Sequence, residues 1–382
     1  MSPEDLPFDP ADLPSPCFVV DAEGLRRNAR LLDQIRQASG ARVLLALKAF
    51  AMPSAFPVLR PFLDGTTASS TAEALLAGLH FGGEVHAYAV AYTDADFDRI
   101  CTIASHVTLN SLSQWQHLRP LAERFPEVSF GLRINPQYSE VEVDLYNPCL
   151  PGSRFGMTAE DLQGADLEGI RGLHLHTLCE QGFGPLERTV ARVEEHFGHL
   201  LPDMEWLNLG GGHHITKPGY DREGLISLIR RLREQYGLEV ILEPGEAVAQ
   251  EAGWLVSTVL DTFTSQGIHH AILDVSATAH MPDVLEMPYR PHIIGASDPG
   301  EQAVDHMLGG VTCLAGDRIG TYSFPAPLQR GDRLVFTDMA MYTMVKTSHF
   351  NGVAHPAIGL WDDGALHLQK TFGYADVRNR LG

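Results

Sequence analysis

Lys48 stands at the end of an unbroken apolar run, Val43-Leu44-Leu45-Ala46-Leu47, with no turn signal between them. Lysine is rarely buried without a partner, so an amine at the exit of a packed strand has two readings. Either it snorkels to water from a strand end, or it is a desolvated nucleophile able to hold a carbonyl cofactor as a Schiff base. His174-Leu175-His176 reads as strand, where a period of two turns both rings to one side. That permits a metal pair, one ring stacked on a flat ligand, or one ring packed and satisfied in the core. Leu209-Gly210-Gly211-Gly212-His213 is a tight turn or a set of backbone N–H groups that an anion can approach closely. Glu243-Pro244-Gly245-Glu246 brings a carboxylate that caps a turn or keeps a ring nitrogen protonated. Glu246 would sit badly beside a phosphate and suits a cationic substrate. Cys313, in Thr312-Cys313-Leu314-Ala315-Gly316-Asp317, is a structural thiol, a proton donor or a nucleophile. His213-His214 and His269-His270 are adjacent pairs whose side chains diverge, and no third ligand has metal spacing, so no metal is expected.

The elements that must position these groups follow from the apolar runs. After the Lys48 strand, short β-type runs recur at 62–67, 85–89, 107–110, 128–134, 172–177, 206–210 and 239–243, separated by helix-like stretches such as 72–79 and 186–201. Strand alternating with helix in this way predicts an α/β fold, a TIM-like (β/α)8 barrel, because each parallel pair needs a crossover. Lys48, 67–70, Asn110, Arg133, His176, Gly210 to Gly212 and Glu243 collect at the C-terminal ends of these runs, the face where barrels carry their active sites. Asn110 alone is as well explained by capping its own strand. From 254 onward the pattern is β-type, with runs at 254–262, 269–275, 306–313 and 333–337 and frequent proline and glycine from 281 to 327. The expected organisation is a barrel over 22–248 and a mainly β domain formed by 1–21 with 249–382, sealed by the N-terminal run at 17–20.

Composition bounds the partners. The chain has 382 residues, 44% of them hydrophobic and 20% charged, which suits a large-cored globular enzyme of two domains. A net charge of −20 argues against nucleic acid, which needs a basic surface, and suits a cationic small substrate. The opening Met1-Ser2-Pro3-Glu4-Asp5-Leu6-Pro7 is acidic and proline-broken, unlike a secretory signal, and no apolar run reaches the length of a membrane span. Cys17, Cys101, Cys149, Cys179 and Cys313 are odd in number and scattered, which predicts free thiols in a reducing cytoplasm. Lysine at the first strand, histidine in the barrel, glycines at the seventh and glutamate at the eighth are together coherent with one cofactor, pyridoxal 5'-phosphate.

At this point the chain resembles the fold-type III pyridoxal-phosphate enzymes, the alanine racemase and ornithine decarboxylase class, over nearly its whole length. Within that class it is most similar to the carboxynorspermidine (carboxyspermidine) decarboxylases. Leu45-Ala46-Leu47-Lys48-Ala49-Phe50 looks like the cofactor-lysine motif, and His174-Leu175-His176-Thr177-Leu178-Cys179-Glu180, 208–213 and Glu243-Pro244-Gly245-Glu246 follow in the family's order. The run from Leu273 through Asp283 and Pro288 to Arg290 resembles this decarboxylase family rather than the class at large. The resemblance implies that Lys48 carries the cofactor, His176 stacks on its ring, and Gly210, Gly211, Gly212 and Tyr342 hold its phosphate. It implies that Glu243 pairs with the pyridine nitrogen while Arg133 and Glu73 support the lysine. It also implies that Cys313 returns a proton after carbon dioxide leaves, reaching in from the partner subunit of a homodimer.

Glu246 replaces the arginine, Leu314 the aspartate after the cysteine, and Thr67 the strand-two aspartate of the ornithine decarboxylase pattern. Ornithine is therefore disfavoured. Glu246 and Asp283 become candidates for a polyamine-like substrate's ammonium groups, with Arg154 for its carboxylate. The activity implied is decarboxylation of carboxynorspermidine or carboxyspermidine to norspermidine or spermidine. A diaminopimelate-type decarboxylase, a racemase of the same fold and a non-catalytic regulatory relative are the alternatives.

Overall fold

The β-type run at the N-terminus forms β1 (Cys17–Asp21), and the next eight strands are the eight runs that alternate with helices. They are β2 (Arg42–Ala46), β3 (Gly65–Ala68), β4 (Glu84–Tyr88), β5 (His106–Leu109), β6 (Ser129–Arg133), β7 (Ile170–His174), β8 (Trp206–Asn208) and β9 (Glu239–Leu242). Each lies parallel to the next, and β2 closes on β9 through the pairs Arg42↔Ile241 and Val43↔Leu242, giving a closed barrel. This computed structural model describes residues 5–287 and 289–382; the acidic opening at 1–4 and Pro288 of the Leu273–Arg290 run lie outside the described residues.

Local chemistry starts the helices that wrap the barrel. Ser70, Thr93, Ser111 and Asp221 each accept a hydrogen bond from a backbone N–H of the first turn, capping Thr71–Leu76, Asp94–Cys101, Leu112–Ala122 and Arg222–Tyr236. Inside the barrel Leu44, Trp206 and Ile241 form one core cluster. The Trp206 indole lies across Gly131 and Gly172, where an added Cβ would come within 2.1 and 2.0 Å of it. Its Nε1–H donates to Ser129 Oγ at 2.8 Å, so the polar edge of the ring is satisfied in the interior. Trp206→Ala is expected to cost about 3–5 kcal/mol of stability, read as a lower urea midpoint, because the glycines on either side cannot refill the space.

The strands are shorter than the sequence runs. β2 stops at Ala46, β7 at His174 and β8 at Asn208. Lys48, His176, the three glycines and Glu243 therefore all sit in the connections just past their strands. This corrects the expectation that His174 and His176 share a strand face: the period of two ends at His174, and the two rings do different work.

The β domain is an eight-stranded sheet in the order β13-β12-β11-β10-β1-β15-β16, with β14 also paired to β10. Its strands are β10 (Gly253–Ser265), β11 (Ile268–Leu273), β12 (Val304–Gly309), β13 (Arg318–Phe324), β14 (Arg333–Thr337), β15 (Ala357–Asp362) and β16 (Ala365–Lys370). β1 lies in the middle, antiparallel to β10 and parallel to β15, so the N-terminal segment completes the sheet as expected. Phe8, Leu13, Cys17, Val19, Trp254, Val256, Val335 and Ala357 form its core. β13, β15 and β16 carry no clear sequence signal: glycine interrupts the first two, and β16 is largely exposed. The chain divides into two compact units, Arg26–Val248 and Met1–Leu25 with Ala249–Gly382.

Candidate active site

Past the end of β2 the backbone turns back on itself, Ala49 N–H donating to the Ala46 carbonyl at 3.1 Å. Leu47 and Ala49 are buried by that turn, while the Lys48 side chain between them remains open to solvent. Protein nevertheless crowds the amine. Desolvation is the strongest influence on it and Arg133 adds repulsion, so its pKa falls below 10.5 despite the opposing pull of Glu243, Glu73 and Cys179. An amine that water reaches but that protein surrounds lies in a recess.

Lys48 Nζ is 3.4 Å from His176 Nε2. The Gly211 N–H donates to His176 Nδ1 at 3.1 Å, so Nδ1 carries no proton and the ring's single proton is on Nε2, facing the amine. Burial first, then the Lys48 and Arg133 charges, hold His176 well below its ordinary 6.5. A neutral imidazole can donate that proton to the amine whenever the amine is unprotonated, which the lowered Lys48 pKa favours.

Glu243 follows β9, and its N–H donates to the Gly210 carbonyl at 2.7 Å. Asn208 spans the gap between them: its Nδ2 donates to Glu243 Oε1 at 2.8 Å, and its Oδ1 accepts from the Gly210 N–H at 2.8 Å. His174 Nε2 lies 3.6 Å from the other carboxylate oxygen. Burial pushes the Glu243 carboxyl up, but the His174 ring, the His86 charge and the Asn208 amide outweigh it and bring it down to about 2. Glu243 is thus a fixed, buried negative charge. Gly210 and Gly212 have φ of 69° and 83°, and a Cβ on Gly212 would meet the Leu178 carbonyl at 1.9 Å. Only glycine makes this turn, and the Gly210 and Gly211 N–H groups are held inside it by Asn208 and His176.

Arg133 ends β6 with its guanidinium between the Tyr88 and Phe155 rings, 4.7 and 4.5 Å from their centroids, and donates to the His176 carbonyl at 3.0 Å. Glu73, on the first turn of Thr71–Leu76, accepts from the Ser69 N–H at 2.6 Å; burial raises its pKa against that bond and the Lys48 charge. Asn110 does more than end its own strand. It accepts from Tyr88 Oη at 2.7 Å and the Gly156 N–H at 2.9 Å, and donates to the Arg154 carbonyl at 2.8 Å. It thereby fixes the loop that carries Arg154, whose exposed guanidinium lies 4.4 Å from the Phe155 ring centroid.

Glu246 accepts from His214 Nε2 at 2.9 Å, and His214 Nδ1 faces Lys217 Nζ at 3.1 Å. His213 turns instead to Tyr220 Oη at 2.6 Å, so the adjacent histidines do diverge. Among the described residues, the ligand atoms of Glu180, His214 and Glu246 come within 4.8 Å of one another, as do those of Glu84, His86 and His106; neither group includes His174 or His176. Sequence reasoning missed Tyr88, Asn208 and His214 as parts of the site. Tyr88 and Asn208 end their strands, the signal that marked Arg133, but aromatic and amide residues are common enough there to pass unnoticed.

Tyr342, Asp283 and Cys313 belong to the β domain. Tyr342 adopts a left-handed conformation, φ 46°, and its carbonyl accepts from the Val345 and Lys346 N–H groups at 3.0 and 2.9 Å. Asp283 is paired with Lys346, which also reaches Glu286 at 2.7 Å. Cys313 is exposed, its N–H donating to Asn351 Oδ1 at 2.7 Å.

The barrel residues fit pyridoxal 5'-phosphate. A recessed amine of lowered pKa suits a Schiff base, a glycine turn without side chains lets a phosphate approach its backbone closely, and a buried carboxylate that stays charged can pair with a pyridinium. The buried Thr177 Oγ1 and His213 Nε2 have no hydrogen-bond partner among the described residues. A parallel barrel so equipped, in one chain with a mixed β sheet, defines the fold-type III class of pyridoxal-phosphate enzymes.

The comparisons with known proteins agree. A family model for the pyridoxal-dependent decarboxylases, C-terminal sheet domain, matches residues 17–340, and the chain belongs to that family. It is 50% identical over 374 residues to the carboxyaminopropylagmatine decarboxylase of Synechocystis sp., covering 97% of this chain and 96% of the relative. It is 39% identical over 378 residues to the carboxynorspermidine/carboxyspermidine decarboxylase of Campylobacter jejuni, covering 96% and 98%. The crystal structure of the C. jejuni carboxynorspermidine decarboxylase complexed with norspermidine superposes with a TM-score of 0.89 at 38% identity, over 96% of this chain and 100% of that one. The protein is a pyridoxal-phosphate-dependent decarboxylase.

Proposed function

We propose that the enzyme removes carbon dioxide from carboxynorspermidine or carboxyspermidine, releasing norspermidine or spermidine. The observation that carries this is full-length similarity to the C. jejuni enzyme, whose crystal structure holds norspermidine. The net charge of −20 supports a cationic substrate. Bound pyridoxal phosphate supplies the electron sink that accepts the pair left when the carboxylate departs.

In this reading Lys48 holds the carbonyl carbon and gives it up to the substrate amine, Glu243 keeps the ring nitrogen protonated, and His176 lies against the ring. Gly210, Gly211, Gly212 and Tyr342 hold the phosphate. Arg133 and Glu73 set the charge around Lys48. Glu246 and Asp283 receive the substrate's ammonium groups, Asp283 in exchange for Lys346, and Arg154 receives a carboxylate. Cys313 returns a proton to the substrate carbon. The working form is a homodimer that shares residues across its two sites, and it acts in the cytoplasm, a reading supported by all five cysteines being free.

A second reading is favoured by a different observation. At 50% identity, the Synechocystis relative acts on carboxyaminopropylagmatine, in which a guanidinium replaces the terminal ammonium. Glu246 beside His214 serves either cation. Steady-state kinetics on carboxynorspermidine, carboxyspermidine and carboxyaminopropylagmatine decides between them. The first two, differing by one methylene, are expected within about 10–200-fold of each other in kcat/KM. A kcat/KM for the guanidinium substrate above both would transfer the assignment to it, and release of carbon dioxide from diaminopimelate alone would remove both readings.

A further inference from the structure

The turn that carries Cys313 is built around a buried carboxylate to which the reaction assigns no part. Asp317 is 5% exposed. Its oxygens accept from Ser276 Oγ at 2.9 and 3.0 Å, the Thr278 N–H at 3.2 Å, the Thr312 N–H at 3.0 Å and Thr312 Oγ1 at 2.6 Å. The backbone of Asp317 closes the same turn, its N–H donating to the Leu314 carbonyl at 2.9 Å and its carbonyl accepting from the Gly310 N–H at 3.0 Å. Gly310 is needed for this approach, since a Cβ there would meet Asp317 Oδ2 at 2.5 Å and Ser276 Cα at 2.7 Å. Both oxygens are thus spent fastening residue 312, next to the thiol, to the 276–280 segment.

That segment is itself anchored. Ser276 Oγ accepts from the Ala279 N–H at 3.0 Å, and His280, fully buried, accepts from the Ser276 N–H at 3.2 Å and bonds the Ala354 carbonyl at 3.1 Å. Asn351, held at φ 56°, takes the Cys313 N–H from the other side. The thiol therefore stands at the exposed tip of a turn whose base is fixed from two directions. Burying a carboxylate is costly unless its oxygens are bonded, and a free-standing exposed turn needs no such base.

We infer that Asp317 is a positioning residue for Cys313, acting through Thr312 to aim the thiol. The inference rests on the reading of Cys313 as the proton donor. When the thiol's proton reaches the substrate carbon, the electron pair of the broken carbon–carboxylate bond ends in a new C–H bond and the amine leaves. When solvent protonates the cofactor's carbonyl carbon instead, the pair ends there, and water releases an aldehyde while the substrate nitrogen stays behind as pyridoxamine phosphate. The ratio of amine to aldehyde thus reports where the proton lands, which loss of stability alone does not change.

The test compares Asp317→Asn, Thr312→Val, Thr312→Ser and Cys313→Ala in the holoenzyme. Two quantities are measured: the aldehyde share of product, and the rate at which iodoacetamide labels Cys313, read by peptide mapping. Asp317→Asn and Thr312→Val are expected to raise the aldehyde share at least about fivefold with KM little changed, and Thr312→Ser to restore it. Labelling of Cys313 is expected to change at least about threefold in the first two variants. Wild-type product ratio and labelling rate in a folded Asp317→Asn overturn the inference; if that variant does not fold, the same result in Thr312→Val does so. An unchanged ratio in Cys313→Ala overturns the donor reading by itself, and labelling then still decides whether Asp317 aims the thiol.

Discussion

Lys48→Ala is expected to leave a folded protein that borohydride no longer links to pyridoxal phosphate and whose kcat falls by roughly 10³-fold or more, the scale seen when a covalent nucleophile is removed. The reason is geometric. Lys48 sits on a turn in a recess, its Nζ 3.4 Å from His176 Nε2. Desolvation and the Arg133 charge hold its pKa below 10.5, so a larger share of the amine is unprotonated at neutral pH than in a free lysine. Only that share attacks a carbonyl. The rate at which wild-type protein captures added cofactor should therefore rise with pH to a midpoint below 10.5, followed by absorbance of the Schiff base. A midpoint at or above 10.5 would remove the recess as the source of reactivity. Retained borohydride linkage in Lys48→Ala would place the carbonyl on another amine.

Glu243→Gln comes next in size, with an expected loss of about 10²- to 10³-fold in kcat and a smaller change in KM. A glutamine can still receive the Asn208 amide, so the site should keep its shape; what is lost is the fixed negative charge that stabilises a protonated ring nitrogen. The same charge has a signature in the protein without cofactor. The folded carboxyl is held down to about 2 from an ordinary 4.5, so its contribution to stability is full above pH 4.5 and disappears as pH falls through 2. That contribution is at most roughly 3 kcal/mol. The stability difference between wild type and Glu243→Gln, measured by urea unfolding, should accordingly shrink from pH 5 to pH 2. A difference independent of pH across that window would mean that Glu243 is not held ionised by His174 and Asn208.

How much of this was legible without coordinates differs from residue to residue. Lys48, Gly210 to Gly212 and Glu243 could be read because each follows a short apolar strand in a regular alternation, and a closed barrel gathers all such ends on one face. The boundaries of those strands were not legible. A run such as 172–177 keeps a strand-like alternation past His174, where β7 ends, so His176 looked like a strand residue, whereas it lies in the connection and its ring Nδ1 accepts from the Gly211 N–H. β13, β15 and β16 were missed for the complementary reason. Their pairing partners, not their own side chains, make them strands.

Lys48 next to an apolar run, a triple glycine and a carboxylate at the end of the last barrel strand were enough to name a cofactor and a class of chemistry, because residue type and strand order are properties of the chain itself. Charge states and proton positions were not. That His176 keeps its proton on Nε2, that Glu243 stays ionised although buried, and that Asn208 joins it to the glycine turn all depend on partners from different strands brought within about 3 Å, the separation at which hydrogen bonds form. The same holds for Asp317. In the sequence it is an acidic residue after a glycine, and only folding, which gathers Ser276, Thr278 and Thr312 around it, makes it the base of the Cys313 turn.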